Sequence, residues 1–282
     1  MSQQGYSLVG FMDAAAGVSY LRDRCDLPGS SDDALRDSWE SARRRLGAPI
    51  ADAGVPDIRP LPAGHEGHLE GVRRNPRFDT TLEGMPYDFA EVEIRRLLAF
   101  QFHVERERAG RFRTLVGDRS LNALLAFTLP HGLEEIKYKQ FAQPSGVLIT
   151  SGSLNLRTML SGLLAVPEQA MQMAGPLFGA ASPLTQVVHF RDRYYLKNGY
   201  HRAHFLLAEG ITHMPALVLE ASNFAQVGAP GGAATFNRDL LESDNPPTCG
   251  HLTPERAWRV PLKQMRRVIS VSWTEYAVAD EG

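Results

Sequence analysis

The segment Arg193-Tyr-Tyr-Leu-Lys-Asn-Gly-Tyr-His-Arg-Ala-His-Phe-Leu-Leu-Ala-Glu-Gly210, followed by Met214-Pro-Ala-Leu-Val-Leu219, constrains the fold of this chain more than any other. An aromatic, apolar run ends at Asn-Gly, a pair that favours a sharp bend. The order it predicts is strand, tight turn, short helix, glycine stop and strand. Gly199 lets the backbone come close to a ligand, and a helix starting there directs its unsatisfied N–H groups at the same spot. His201 and Arg202 add donors and positive charge. The combination suits a phosphate group: Arg202 can fork onto its oxygens, and His201 can donate to them or shuttle a proton.

Upstream, Leu184 to Phe190 and Tyr194 to Leu196 flank Arg191-Asp-Arg193, the pattern of a hairpin. Residues 1 to about 50 read as helical. There Ser30 precedes Asp32 and Asp33, and Leu35, Trp39, Ala42 and Leu46 recur at helical spacing before Gly47. From Ala48 to Pro86, prolines 49, 56, 60, 62, 76 and 86 predict an irregular arm on the surface. Leu97 to Phe100 is a buried run. Leu121 to Leu129 forms a helix or strand, Ile136 to Phe141 alternates like a half-buried strand, and Gly146 to Ile149 looks fully buried. Ser151 to Arg157 reads as a polar loop and Gln169 to Met173 as a short helix. Another short helix is expected near Asn237 to Glu242, and Val268 to Trp273 closes the sequence as a strand.

At Tyr195-Leu-Lys-Asn-Gly-Tyr-His-Arg202 the chain resembles the ParB/sulfiredoxin superfamily. Its members share a hairpin leading into a G-x-[HR]-R turn, a helix, a glycine and a strand of the form x-P-x-x-V. The corresponding parts here are the Val187/Tyr195 hairpin, Gly199 to Arg202, Ala203 to Glu209, Gly210, and Met214-Pro-Ala-Leu-Val218. The match covers roughly residues 183 to 220. Val92 to Gln101 is a weaker echo of the family's first strand and loop. The resemblance implies an α/β (α+β) fold with a mixed-sheet core. Residues 1–86 would be a helical N-terminal segment and proline-rich arm. Residues 87–282 would be the core, with an insertion at about 112–180 and a C-terminal strand extension.

In that family the turn cradles the phosphates of a nucleotide. The resemblance therefore implies binding of a nucleoside triphosphate, ATP or CTP, by Asn198, Gly199, Tyr200, His201 and Arg202. Mg²⁺-dependent phosphate transfer or hydrolysis would follow, with His201 and Arg202 as the catalytic pair and a small molecule or protein as acceptor. Sulfiredoxins carry their reactive cysteine where Tyr200 stands, so sulfinic acid reduction is not expected. The sequel to the turn leaves little room for the helix-turn-helix domain of segregation proteins. A nuclease-like or DNA-associated role is the alternative, and a non-catalytic nucleotide sensor or scaffold is a third class.

Further site candidates come from position. Asn155 and Arg157 lie in a polar loop after a buried strand, and Gln101 follows the buried Leu97 to Phe100 run. Glu105, Glu107, Glu134 and Glu135 are the acids available to activate an acceptor, and none is singled out. His189, His201, His204 and His213 have no carboxylate or cysteine at a ligand spacing, so no metal site is assigned. His65-Glu-Gly-His68 has its histidines three apart and reads as a solvated loop, and Gly228-Ala-Pro-Gly-Gly232 lacks the end of a P-loop. Trp258 and Trp273 are expected to pack. The formal net charge of −2 does not favour nucleic acid, although DNA stays open as a partner. The two cysteines, Cys25 and Cys249, form no CxxC pair. No apolar run has the length of a membrane span, and the first residues lack the pattern of a signal peptide, so a cytoplasmic protein is expected.

Overall fold

The computed structural model describes residues 3–76, 78–106, 112, 116, 118–132, 136–153, 156–166, 171–180, 182–228, 235–272 and 274. They form an α+β protein. Two compact units divide it: Met1–Gly132 with Pro183–Gln264, and Leu133–Ser182 with Met265–Gly282. In chain order the first unit supplies β1 (Gln3–Ser7), α1 (Ala14–Arg24), α2 (Asp32–Arg45), β2 (Ile58–Pro60), α3 (Glu66–Arg73), α4 (Phe78–Leu82), β3 (Tyr87–Glu93), β4 (His103–Glu105) and α5 (Leu121–Thr128). The second unit supplies β5 (Lys139–Gln143), β6 (Gly146–Ser151), β7 (Leu156–Val166) and β8 (Met171–Ala180). The first resumes with β9 (Gln186–Phe190), β10 (Arg193–Asn198), α6 (Tyr200–Ala208), β11 (His213–Glu220), α7 (Arg238–Leu241) and β12 (Trp258–Leu262). Finally β13 (Arg267–Ser272) belongs to the second unit.

The centre of the first unit is a five-stranded mixed sheet in the order β10-β9-β11-β3-β2. The expected hairpin is present as β9 and β10, antiparallel, with Val187 opposite Leu196 and His189 opposite Tyr194. From β10 the chain crosses through α6 and returns as β11, parallel to β9 and antiparallel to β3. Both faces are covered, which is why Val187, Val188, Leu196, Ala216, Leu217 and Leu219 are all buried. The outer edge of β10 is not left open. Leu98 pairs beside Tyr195, donating its N–H to Tyr194 O at 2.9 Å and accepting from Leu196 N at 2.9 Å. This explains the buried Leu97 to Phe100 run.

Helix α2 follows from its sequence, with Leu35, Trp39 and Ala42 on the buried side. Its cap is Ser31, one residue later than expected, whose side chain accepts from Ala34 N at 3.3 Å. Gly17 lets α1 approach it closely, because a Cβ at that position would lie 2.2 Å from the Trp39 ring. The expectation that residues 1 to 50 are helical is corrected at its start. Residues 3–7 form β1, the middle strand of the sheet β12-β1-β4. Its partners are remote in sequence, so local periodicity could not announce it.

Residues 48–86 are less irregular than the prolines implied. They carry β2, α3 and α4, and Val72, Phe78 and Met85 join the main core. The prolines sit where they are tolerated: Pro60 in the edge strand β2, Pro76 between two helices. These residues therefore pack within the same compact unit as the hairpin instead of forming a separate segment. His65 to His68 lies at the start of α3, not in a loop, and His68 Nε2 donates to Leu129 O at 2.9 Å.

In the second unit β13, β6 and β5 form one antiparallel sheet, and β7 and β8 form a two-stranded ribbon. The strand expected at 136–141 occurs at Lys139–Gln143 and is exposed along its whole length, not half-buried. Gly146–Ser151 is only partly buried. Met171 to Met173 is strand in β8 instead of helix, and positions 169 and 170 lie outside the described residues. The expected helix near Asn237 is present as α7, capped by the Asn237 side chain accepting from Leu240 N at 3.0 Å.

Candidate functional site

The turn between β10 and α6 is built by three local devices. First, β10 shifts register between Leu196 and Asn198, a bulge that re-aims the strand end. Asn198 is fastened by its side-chain amide, which donates to Leu184 O at 2.9 Å. Second, Gly199 adopts φ 108°, ψ 16°, a left-handed conformation that disfavours any side chain, and serves as the N-cap of α6. A Cβ there would also lie 2.9 Å from Thr185 Oγ1 and 3.0 Å from Thr185 Cγ2. Third, the N-cap of α6 is a glycine, which has no side chain with which to cap the helix. The first helical hydrogen bond is Ala203 N to Gly199 O at 2.9 Å. The N–H groups of Tyr200, His201 and Arg202 thus precede the helical ladder, where the helix dipole is positive.

Tyr200 turns inward. Its ring is 2 % exposed and stands 5.7 Å from that of Phe100, and its hydroxyl accepts from Phe100 N at 3.0 Å. Burial pushes the hydroxyl pKa well above its ordinary value, so it stays a neutral phenol. What Tyr200 can offer a ligand is its backbone N–H. The same contact brings the Phe100–Gln101 segment to the turn. Gln101 is half-buried and pairs across an isolated bridge with Thr235.

His201 is half-buried, and its Nε2 accepts from the backbone N–H of Glu105 in β4 at 3.1 Å. An amide can only donate, so Nε2 carries the lone pair and the proton of the neutral ring is on Nδ1. Glu105 thus meets the site through its main chain. Arg202, also half-buried, places its guanidinium carbon 5.8 Å from the centre of the Phe127 ring on α5, a cation–π contact.

Compared with family models, curated proteins and solved structures, the chain matches none. The site is therefore read from its own geometry.

The other histidines near the turn are occupied elsewhere. His204 is buried, its Nδ1 donating to Leu252 O at 2.7 Å, with its ring 4.9 Å from that of Tyr6. His189 pairs with Glu220 at 2.8 Å and stacks on Tyr194 at 4.2 Å. His213 Nε2 lies 3.4 Å from an Asp57 carboxylate oxygen. Among the described residues no group of three or more His, Cys, Asp or Glu side chains could hold a metal ion. Cys25 and Cys249 are both buried and unbridged, and burial pushes the Cys25 thiol pKa up to about 12. Neither is primed for nucleophilic work.

Of the candidate site residues, Asn198 to Arg202 form one continuous turn and Gln101 is drawn to it through Tyr200. Arg157 belongs to the second unit, where its Nη1 donates to Leu156 O at 3.1 Å and burial lowers its pKa. Asn155, Glu107, Glu134 and Glu135 lie outside the described residues, as do Trp273 and positions 229–232 of the glycine-rich stretch. Trp258 packs against the main core from β12.

Two neighbours of the turn were not read from the sequence. Lys197, only 13 % exposed, pairs with Glu83 at 2.9 Å. Thr185 lies against Gly199. Nothing in their local sequence distinguishes them; both depend on contacts across the fold.

Proposed function

We propose that this chain is a ParB/sulfiredoxin-like nucleotide-binding protein whose ligand phosphates sit on the Asn198–Arg202 turn. The observation that carries the reading is Gly199 in its left-handed conformation as the N-cap of α6, with Arg202 in the first turn of that helix. A phosphate there would accept from the leading amides and be held by the guanidinium. The succession hairpin, glycine turn, α6 and β11 is the order the resemblance requires.

The reaction that best suits the turn is phosphate transfer or hydrolysis. His201, anchored at Nε2 by Glu105, would present the proton on Nδ1, which makes it a donor to a phosphate oxygen or leaving group rather than a base. Mg²⁺ would arrive with the nucleotide, bound largely by phosphate oxygens and water. No residue is assigned to it. Among the described residues no helix is long and apolar enough to cross a membrane. A nucleotide is the partner proposed, with a small molecule or protein as acceptor, in the cytoplasm.

Calorimetric titration with ATP, CTP and GTP in the presence of Mg²⁺ tests this. Binding of at least one nucleotide is expected, together with loss of it in Arg202→Ala while the circular dichroism spectrum is retained. A wild-type protein that binds no nucleotide overturns the reading. Salt-sensitive DNA affinity or plasmid nicking in that case would favour the nuclease alternative.

A further inference from the structure

Thr185 is fully buried, and its hydroxyl oxygen has no hydrogen-bond partner among the described residues. Its backbone is fully used: the N–H donates to Thr128 O at 2.8 Å and the carbonyl accepts from Leu217 N at 3.0 Å. Only the hydroxyl is orphaned. A buried hydroxyl without a partner is destabilising, and such groups are uncommon enough to need a cause.

The position of that hydroxyl supplies one. Oγ1 is the nearest atom to the place where a Cβ on Gly199 would stand, 2.9 Å from it. Gly199 is the N-cap of α6, and its left-handed conformation is one that a glycine adopts at no steric cost. Oγ1 therefore stands beside the residue that caps α6, at the end of the helix where the leading amides lie.

Resting on the nucleotide reading above, we infer that Thr185 is a further ligand-binding residue of this site, its hydroxyl donating to a phosphate oxygen seated at the N-terminus of α6. The ligand class is a phosphate ester or anhydride. Thr185 would contribute a donor in a water-excluded position, where a hydrogen bond to a charged oxygen is strong. Unbound protein carries the hydroxyl unsatisfied and accepts the loss of stability, a trade found where a site must be ready for its ligand.

The test compares wild type, Thr185→Val and Thr185→Ser. The valine has nearly the shape of threonine without the hydroxyl; the serine keeps the hydroxyl and drops the methyl. Urea denaturation measures stability, and calorimetry measures affinity for ATP, CTP, GTP and inorganic triphosphate, each with Mg²⁺. Thr185→Val is expected to be at least as stable as wild type, since an apolar group replaces an unsatisfied polar one. It is also expected to bind the preferred probe about tenfold or more weakly, the usual worth of a hydrogen bond to a charged group. Thr185→Ser is expected to bind like wild type.

A loss smaller than about threefold in the valine variant overturns the assignment of Thr185 and leaves the nucleotide reading standing. A valine variant that is less stable, or unfolded, also overturns it, because the hydroxyl then has a structural partner. Equal loss in the serine variant does the same by making the methyl the operative group. If wild type binds none of the four probes, the nucleotide reading itself fails and takes this inference with it.

Discussion

The hydroxyl of Tyr200 accepts a hydrogen bond from the backbone N–H of Phe100 at 3.0 Å, joining the first residue of α6 to the segment that borders β10. Tyr200 is thereby a structural side chain that ties the turn to its neighbouring segment. Phe100 is buried, so its amide has no access to water if the hydroxyl is removed. Tyr200→Phe is expected to lower unfolding free energy by about 1–3 kcal/mol, the penalty of an unsatisfied buried donor. Urea denaturation monitored by tryptophan fluorescence checks it. A loss below about 0.5 kcal/mol, within the range of unremarkable surface changes, would show that the contact does not hold the turn.

In the proposed function, His201 is a part of the same scaffold with a second task. A glutamine at this position can place its side-chain oxygen close to where Nε2 lies, keeping an acceptor for Glu105 N–H but losing the ring Nδ1–H. His201→Gln is expected to keep stability within about 0.5 kcal/mol of wild type, whereas His201→Ala strands the amide and costs about 1 kcal/mol or more. For nucleotide turnover the two should agree. Both are expected to lower the rate of phosphate release by about 10²–10⁴-fold, the usual contribution of a positioned proton donor. Full turnover in His201→Gln would remove His201 from the chemistry and leave it a positioning residue.

Some of this architecture is legible in the residues and some is not, for a physical reason that recurs. Helix α2 and the β9–β10 hairpin are written locally: Leu35, Trp39 and Ala42 repeat at helical spacing, and Arg191-Asp192 sits between two apolar runs. The left-handed turn at Gly199 is local as well, because Asn-Gly before a helix leaves the backbone few alternatives. Strand β1 is hidden because its neighbours, β4 and β12, are remote in sequence. Strand β5 misleads in the opposite way: its alternation suggests one buried side, yet in a small three-stranded sheet every residue of it is exposed. The groups that shape the site from outside the turn, namely Phe100 N, Glu105 N and Thr185 Oγ1, are main-chain atoms or an ordinary hydroxyl. No motif of side chains could reveal them. The turn is readable and its supports are not.

The same supports predict how the fold responds to acid. His103, in the strand whose Glu105 anchors His201, is half-buried with Nδ1 2.9 Å from the Tyr20 hydroxyl. Burial, and then the positive charge of Arg24, lowers its pKa to about 4. His251 accepts from Thr248 N at 3.1 Å through Nδ1, and burial, followed by Arg256 and Arg95, lowers its pKa to about 4 as well. An unfolded chain returns both rings to their ordinary value near about 6.5. Between those limits the unfolded state binds more protons than the folded one, so stability rises with pH. The contribution is complete above about pH 6.5 and is lost as pH falls towards about 4, by at most about 3 kcal/mol for each ring. Unfolding free energies measured by urea at pH 7.5, 6, 5 and 4 should therefore fall steadily. His103→Asn or His251→Asn, each keeping an acceptor near Nδ1 without a titrating group, should flatten part of that fall. A slope that survives unchanged in both variants would place the acid sensitivity elsewhere, in His204 and His68, whose pKa values burial also lowers, or in the carboxylates.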